Sequence, residues 1–162
     1  PDRVPVQVWY TIRRPRNTPF GDRPLPAGVV QLYQADAGGR LQLIGEAATN
    51  HTAPGRDLRV QSGDAFDVTA ERVQTEFDQE VLPPEERGQA QRRRVTAAYR
   101  VTITNAKPAA VTVDVREQRF GDWKIIESSV PPEKLSASET RFRLTVPAGG
   151  EATLSYTVQI ES

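Results

Sequence analysis

The side chains that could do chemistry are few. Two sets of carboxylates stand out: Asp64 and Asp67 on either side of Phe66, with Glu71 four residues further on, and the alternating run Glu76, Asp78 and Glu80. Two carboxylates held at the right separation can hydrolyse a glycosidic bond, one as acid and one as base or nucleophile. That makes Asp64, Asp67 and Glu71 the residues of a hydrolase alternative, which requires a cleft where at least two converge and one has a raised pKa. Glu76, Asp78 and Glu80, spaced by two, point the same way on a strand, roughly 7 Å from one to the next. Hard cations take several oxygens, so this run is the metal candidate and would suit a calcium-dependent adhesion module. The competing reading is a solvated strand face balanced by the basic triplet Arg92-Arg93-Arg94 across a hairpin, with Glu80 and Asp78 near Arg92 and Arg94. It accounts for both charge clusters at once.

Other catalytic classes lack their parts. The chain has no cysteine, which excludes disulfides, thiolate metal sites and cysteine nucleophiles. His51 is the single histidine, in the turn-like stretch Asn50-His51-Thr52-Ala53-Pro54-Gly55, where an exposed loop residue is expected rather than a triad member or ligand. Asn50-His51-Thr52 also has the form of a glycosylation sequon, which matters only in a eukaryotic secretory pathway. Gly38-Gly39 and Gly149-Gly150 lie in turns and open no helix, so neither is a phosphate loop. No catalytic residue and no cofactor is assigned. With 21 basic and 21 acidic residues among 162, no net charge draws the chain to nucleic acid, and acidic neighbours surround the arginine triplet. The remaining chemistry is aromatic. Trp9 falls opposite the apolar stripe of its strand and Trp123 follows a turn, so the two form a possible interaction surface for a sugar, a peptide or a partner domain.

The elements that must position these residues are strands. Period-two alternation dominates: Val4, Val6, Val8, Tyr10 and Ile12 line one face of an opening strand. A Pro/Arg/Gly-rich loop spans 14–28. Val29–Gln34 and Leu41–Ala47 read as a hairpin around Gly38-Gly39. Asp64–Leu82 fits either a helix or a strand that slips phase near Glu71-Arg72, and the bulged strand is preferred. Val95, Ala97, Tyr99, Val101 and Ile103 mark the next strand, with the proline-rich polar segment 83–90 between the two. Val111–Val115 and Trp123–Glu127 follow, and Phe142–Ile160 reads as a closing hairpin about Pro147-Ala148-Gly149-Gly150. Nine or ten short strands, each with one apolar face, predict an all-β fold: an antiparallel immunoglobulin-like β-sandwich with long hairpins and little or no helix. We expect one domain over 1–162, with possible sub-lobes 1–82 and 91–162 joined by the loop 83–90.

The ordered set Leu25–Tyr33, Leu43–Glu46, His51–Gly55, Gly63–Val68 and Tyr99–Asn105 with Lys107 resembles the C-terminal β domain of the mucoidy-inhibitor-like bacterial family of unknown function. The resemblance covers residues 25–160. It implies a sandwich at the C-terminal end of a longer protein, preceded by an N-terminal portion that often contains a coiled coil, and no established activity. The lack of methionine, the proline at position 1, and arginine so far in excess of Lys107, Lys124 and Lys134 fit a fragment of a bacterial protein. No apolar run reaches the length of a membrane-spanning helix. The expectation is therefore a non-enzymatic interaction or structural module, periplasmic or envelope-associated, whose partner is another protein or the N-terminal region of its own chain.

Overall fold

In a computed structural model, which describes residues 1–84 and 91–162, the alternating segments form twelve antiparallel strands, with no helix among the described residues. They are β1 (Asp2–Val4), β2 (Gln7–Ile12), β3 (Gly28–Ala35), β4 (Leu41–Thr49), β5 (Leu58–Asp64), β6 (Val68–Leu82), β7 (Arg92–Asn105), β8 (Val111–Gln118), β9 (Asp122–Ser128), β10 (Glu133–Lys134), β11 (Glu139–Val146) and β12 (Glu151–Glu161). The all-β, antiparallel expectation holds at this level.

The chain divides into two units: Pro5–Ala65, and Phe66–Ser162 together with Pro1–Val4. This division does not fall at 83–90. Strands β6 and β7 on either side of that segment pair with each other from Val68↔Asn105 to Leu82↔Arg92, so the polar stretch joins two strands of one hairpin. Residues 85–90 of the predicted loop lie outside the described residues. The opening strand is also broken. Pro5 has no N–H to give a ladder, and the chain passes there from β1, paired with β6, to β2, paired with β5.

The larger unit contains a five-stranded sheet, β1-β6-β7-β12-β9, and a three-stranded sheet, β10-β11-β8. Val101, Ile103, Leu154, Tyr156 and Val158 turn inward from the first, and Phe142, Leu144 and Val146 from the second. The rings of Phe142 and Tyr156 stack across the gap with centroids 5.0 Å apart. The expected Phe142–Ile160 hairpin is therefore an arch: β11 pairs with β8 and β10, β12 with β7 and β9, and the two strands lie in different sheets. Two equally apolar stripes bury more surface by facing each other than by lying side by side. The arch is pinned by the buried Asn105, whose Nδ2 donates to the carbonyls of Pro147 (3.0 Å) and Ala109 (2.9 Å). Gly149, at φ 58°, makes the bend, in a region that favours glycine.

The predicted phase slip in β6 is real but sits elsewhere. The register shifts between Gln74 and Glu76, not at Glu71-Arg72. Val68, Ala70 and Arg72 consequently keep one phase, and an arginine occupies an inward position of the sheet.

The smaller unit holds two two-stranded ladders, β2-β5 and β3-β4. Leu58 and Val60 are its buried apolar residues. Its connecting loops are organised by Arg14, which is fully buried. The guanidinium donates from Nε and Nη2 to the Phe20 carbonyl (3.3 and 3.1 Å), from Nη1 to those of Ala53 (3.3 Å) and Arg56 (3.2 Å), and from Nη2 to that of Arg23. One planar fork thus ties loop 14–28 to loop 50–57.

Candidate functional site

Asp64 ends β5 in the smaller unit, whereas Asp67 and Glu71 belong to the larger one, and all three are exposed. Asp67 precedes β6, where its backbone carbonyl accepts the Ala106 N–H. Glu71 lies between the inward Ala70 and Arg72 and so points to the outer face.

Glu76, Asp78 and Glu80 run along the outer face of β6, opposite Ala98, Thr96 and Arg94. Among the described residues, no three acidic, histidine or cysteine side chains are grouped so that they could hold a metal ion. The charge balance across the hairpin is present in part. Glu80 reaches Arg94 at 3.5 Å, but Arg94 bonds more closely to Glu161 of β12 (2.8 and 2.9 Å), and Arg92 also reaches Glu161, at 3.5 Å. The hydrogen bond from Arg94 holds the Glu161 carboxyl below the usual carboxylate range. Sequence reasoning placed the arginines against the acids of β6 and overlooked Glu161, which register puts directly opposite Arg94.

His51 is an exposed loop residue, as expected, and its Nδ1 accepts the Ala27 N–H at 3.3 Å. It lines a shallow concavity whose other walls are Pro24, Leu25, Pro26, Thr52, Ala53 and Pro54.

The two tryptophans separate. Trp123 is 9% exposed, packs with Ala97 and Val158, and donates its Nε1–H to the Ala137 carbonyl at 2.9 Å. It is a core residue, which corrects its assignment to the interaction surface: in β9, Trp123 and Ile125 form the inward phase. Trp9 is 45% exposed on the outward face of β2. Its Nε1–H donates to Gln7 Oε1 at 3.2 Å, and the Arg59 guanidinium sits 5.0 Å from the ring centroid. Register places Gln61 directly opposite Trp9 and Arg59 opposite Thr11. The ladder also shifts register between Val8 and Trp9, beside Gly63 at φ 128°. A bulge of this kind twists a strand and re-aims the neighbouring side chain.

One cluster was missed. Arg72 Nη2 donates to Tyr156 Oη (3.1 Å) and to Glu117 Oε2 (3.3 Å), and Arg119 Nη2 lies 3.2 Å from the same carboxylate oxygen. Arg72 also covers the Tyr99 ring at 4.0 Å. Burial, and then the hydrogen bond to Glu117, push the Tyr156 phenol well above its ordinary value. A signal existed: Arg72 and Glu117 occupy apolar slots in the phases Val68-Ala70 and Val113-Val115. Such a cluster joins the two sheets at the end of their core.

Comparison with known proteins finds no match to a family model, a curated protein or a solved structure.

Proposed function

We propose that this chain is a non-enzymatic interaction and structural module, its larger unit an immunoglobulin-like sandwich, in a bacterial, envelope-associated protein of the mucoidy-inhibitor-like type. The observation that carries the reading is the outward face of the β3–β4 ladder. There Val29, Tyr33, Leu41 and Leu43 are 63%, 52%, 69% and 53% exposed, and their cross-strand partners place them on one face. Contiguous apolar exposure of this kind marks a surface meant to be covered. The Gln31 amide, bonded to Glu46 at 2.7 Å, supplies a polar point within it. The partner is another protein or an upstream region of the parent chain.

Affinity capture from envelope extracts tests the reading. A protein retained by the chain and lost with the double substitution Leu41→Glu/Leu43→Glu supports it. Turnover in a broad hydrolase substrate screen, abolished by Asp64→Ala or Asp67→Ala, overturns it.

A further inference from the structure

The β2–β5 ladder carries a second surface, chemically unlike the apolar β3–β4 face. Its inner side carries the buried Leu58 and Val60. Its outer side sets one large aromatic ring among polar groups: Gln7 and Thr11 along the same strand, Gln61 and Arg59 on the partner, and Arg13 and Asp57 beyond Thr11. Burial in a core does not explain Trp9, since nearly half of it remains accessible.

The ring is held before any ligand arrives, by the hydrogen bond to Gln7 and by Arg59 against it. It also stands on a paired strand, beside the bulge that Ser62 makes in β5, rather than on a loop. Fixing a binding group in advance lowers the ordering cost of association.

The charges decide what fits. Among the described residues neither Arg13 nor Arg59 has a carboxylate within ion-pairing distance. Even so, Asp57 and Asp64 stand at the two ends of the face, so its charge is balanced. Neither a polyanion nor a polycation gains from it. A single aromatic ring without surrounding apolar pockets gives a peptide one anchor where it needs several, and a peptide added along a free edge of this two-stranded ladder would meet the edge rather than the face. A ligand that is apolar on its flat side and polar around its rim satisfies every group present. A pyranose has that form: its C–H face lies on the indole, while its hydroxyls both give and take hydrogen bonds from the amides, Thr11 and the guanidinium.

We infer that the outward β2–β5 face, centred on Trp9, is a binding platform for a neutral polysaccharide chain. This extends the recognition-module reading to a different face. Its failure leaves the β3–β4 surface untouched, and loss of partner capture through Leu41 and Leu43 leaves this platform untouched.

The test is affinity electrophoresis of the whole chain through gels containing hydroxyethylcellulose, xyloglucan, galactomannan or glycogen, with polyglutamate and polylysine as charged controls. Retardation by at least one neutral polymer is expected, insensitive to salt, with the dissociation constant raised roughly tenfold by Trp9→Ala and less by Gln61→Ala. Trp9 emission should shift to the blue on binding while Trp123 reports an unchanged fold. Three results overturn the inference: no retardation by any neutral polymer, equal retardation of Trp9→Ala, or salt-sensitive retardation by the charged controls alone.

Discussion

The two units of this chain solve the same burial problem by different means. From Phe66 onward, the longer strands carry unbroken apolar stripes, and Phe142 and Tyr156, on strands of two different sheets, stack their rings. In Pro5–Ala65 the ladders have only two strands each, an arrangement marginal in water without further support. There the support is polar: a fully buried arginine whose charge is met by the carbonyls of Phe20, Arg23, Ala53 and Arg56 rather than by a carboxylate. Where apolar surface is plentiful, burial alone sets the structure. Where it is scarce, one cation with donors in a rigid fork can gather loops that share no stripe.

That contrast is easiest to break at Arg14. Truncating it removes the guanidinium donors of four carbonyls, of which that of Ala53 keeps the Arg56 N–H, and cuts the side-chain tie from Phe20 and Arg23 to Ala53 and Arg56. Arg14→Ala should cost about 3–5 kcal/mol, since each buried carbonyl left without a donor costs about 1–3 kcal/mol, and Arg14→Lys should recover little, because an ammonium cannot span the fork. Hydrogen exchange locates the effect: amide protection should collapse at Leu25 and Thr52, which bond each other across the two loops, and persist in β7 and β12. A loss under about 1 kcal/mol by urea denaturation would mean that the apolar contacts of Leu58 and Val60 suffice.

A smaller effect belongs to the larger unit, where the polar cluster supplements a core that is already apolar. Tyr156→Phe keeps the ring stack on Phe142 and Tyr99 but removes the oxygen that accepts from Arg72. The expected cost is about 1–3 kcal/mol, the range for leaving a partly buried donor unpaired, read as a lower urea midpoint with the slope unchanged. A cost equal to that of Arg14→Ala would erase the distinction, since the larger unit would then depend on a polar tie as heavily as the smaller.

How far the sequence foretold this follows the same division. Alternation exposed the inward faces of β7, β8 and β12, because Val95 to Ile103, Val111 to Val115 and Leu154 to Ile160 keep an unbroken phase. It did not reveal which strands are neighbours: the stripes of β11 and β12 read the same in a hairpin as in an arch. In β6, a phase slip placed at Arg72 excused a charge from the core, whereas the slip at Thr75 leaves Arg72 inside and Glu117 facing it. Trp9 was legible as outward because its strand alternates over several residues. Trp123, on a short strand after a turn, offered no such phase. Arg14 could not have been found at all, since its partners lie up to 42 residues away and contribute only backbone.

The smallest effect sharpens the comparison from the surface. On the outer face of the three-stranded sheet, Asp114 accepts from Arg143 Nε at 2.7 Å and Nη2 at 2.9 Å, with Arg141 at 3.5 Å. The hydrogen bond from Arg143 holds the Asp114 carboxyl below the usual carboxylate range. A carboxyl with a depressed folded pKa contributes stability that is present above its unfolded pKa of about 3.9 and lost as the pH falls through the folded value. Asp114→Asn should therefore lower stability at neutral pH by about 0.2–1 kcal/mol, the range for exposed pairs. The gap to the unsubstituted chain should narrow as the pH drops below about 4. Urea midpoints at a series of pH values measure it. A gap that stays constant with pH assigns the cost to packing rather than charge, whereas a gap as large as that of Arg14→Ala would show that solvated ion pairs here hold strands as firmly as a buried cation holds loops.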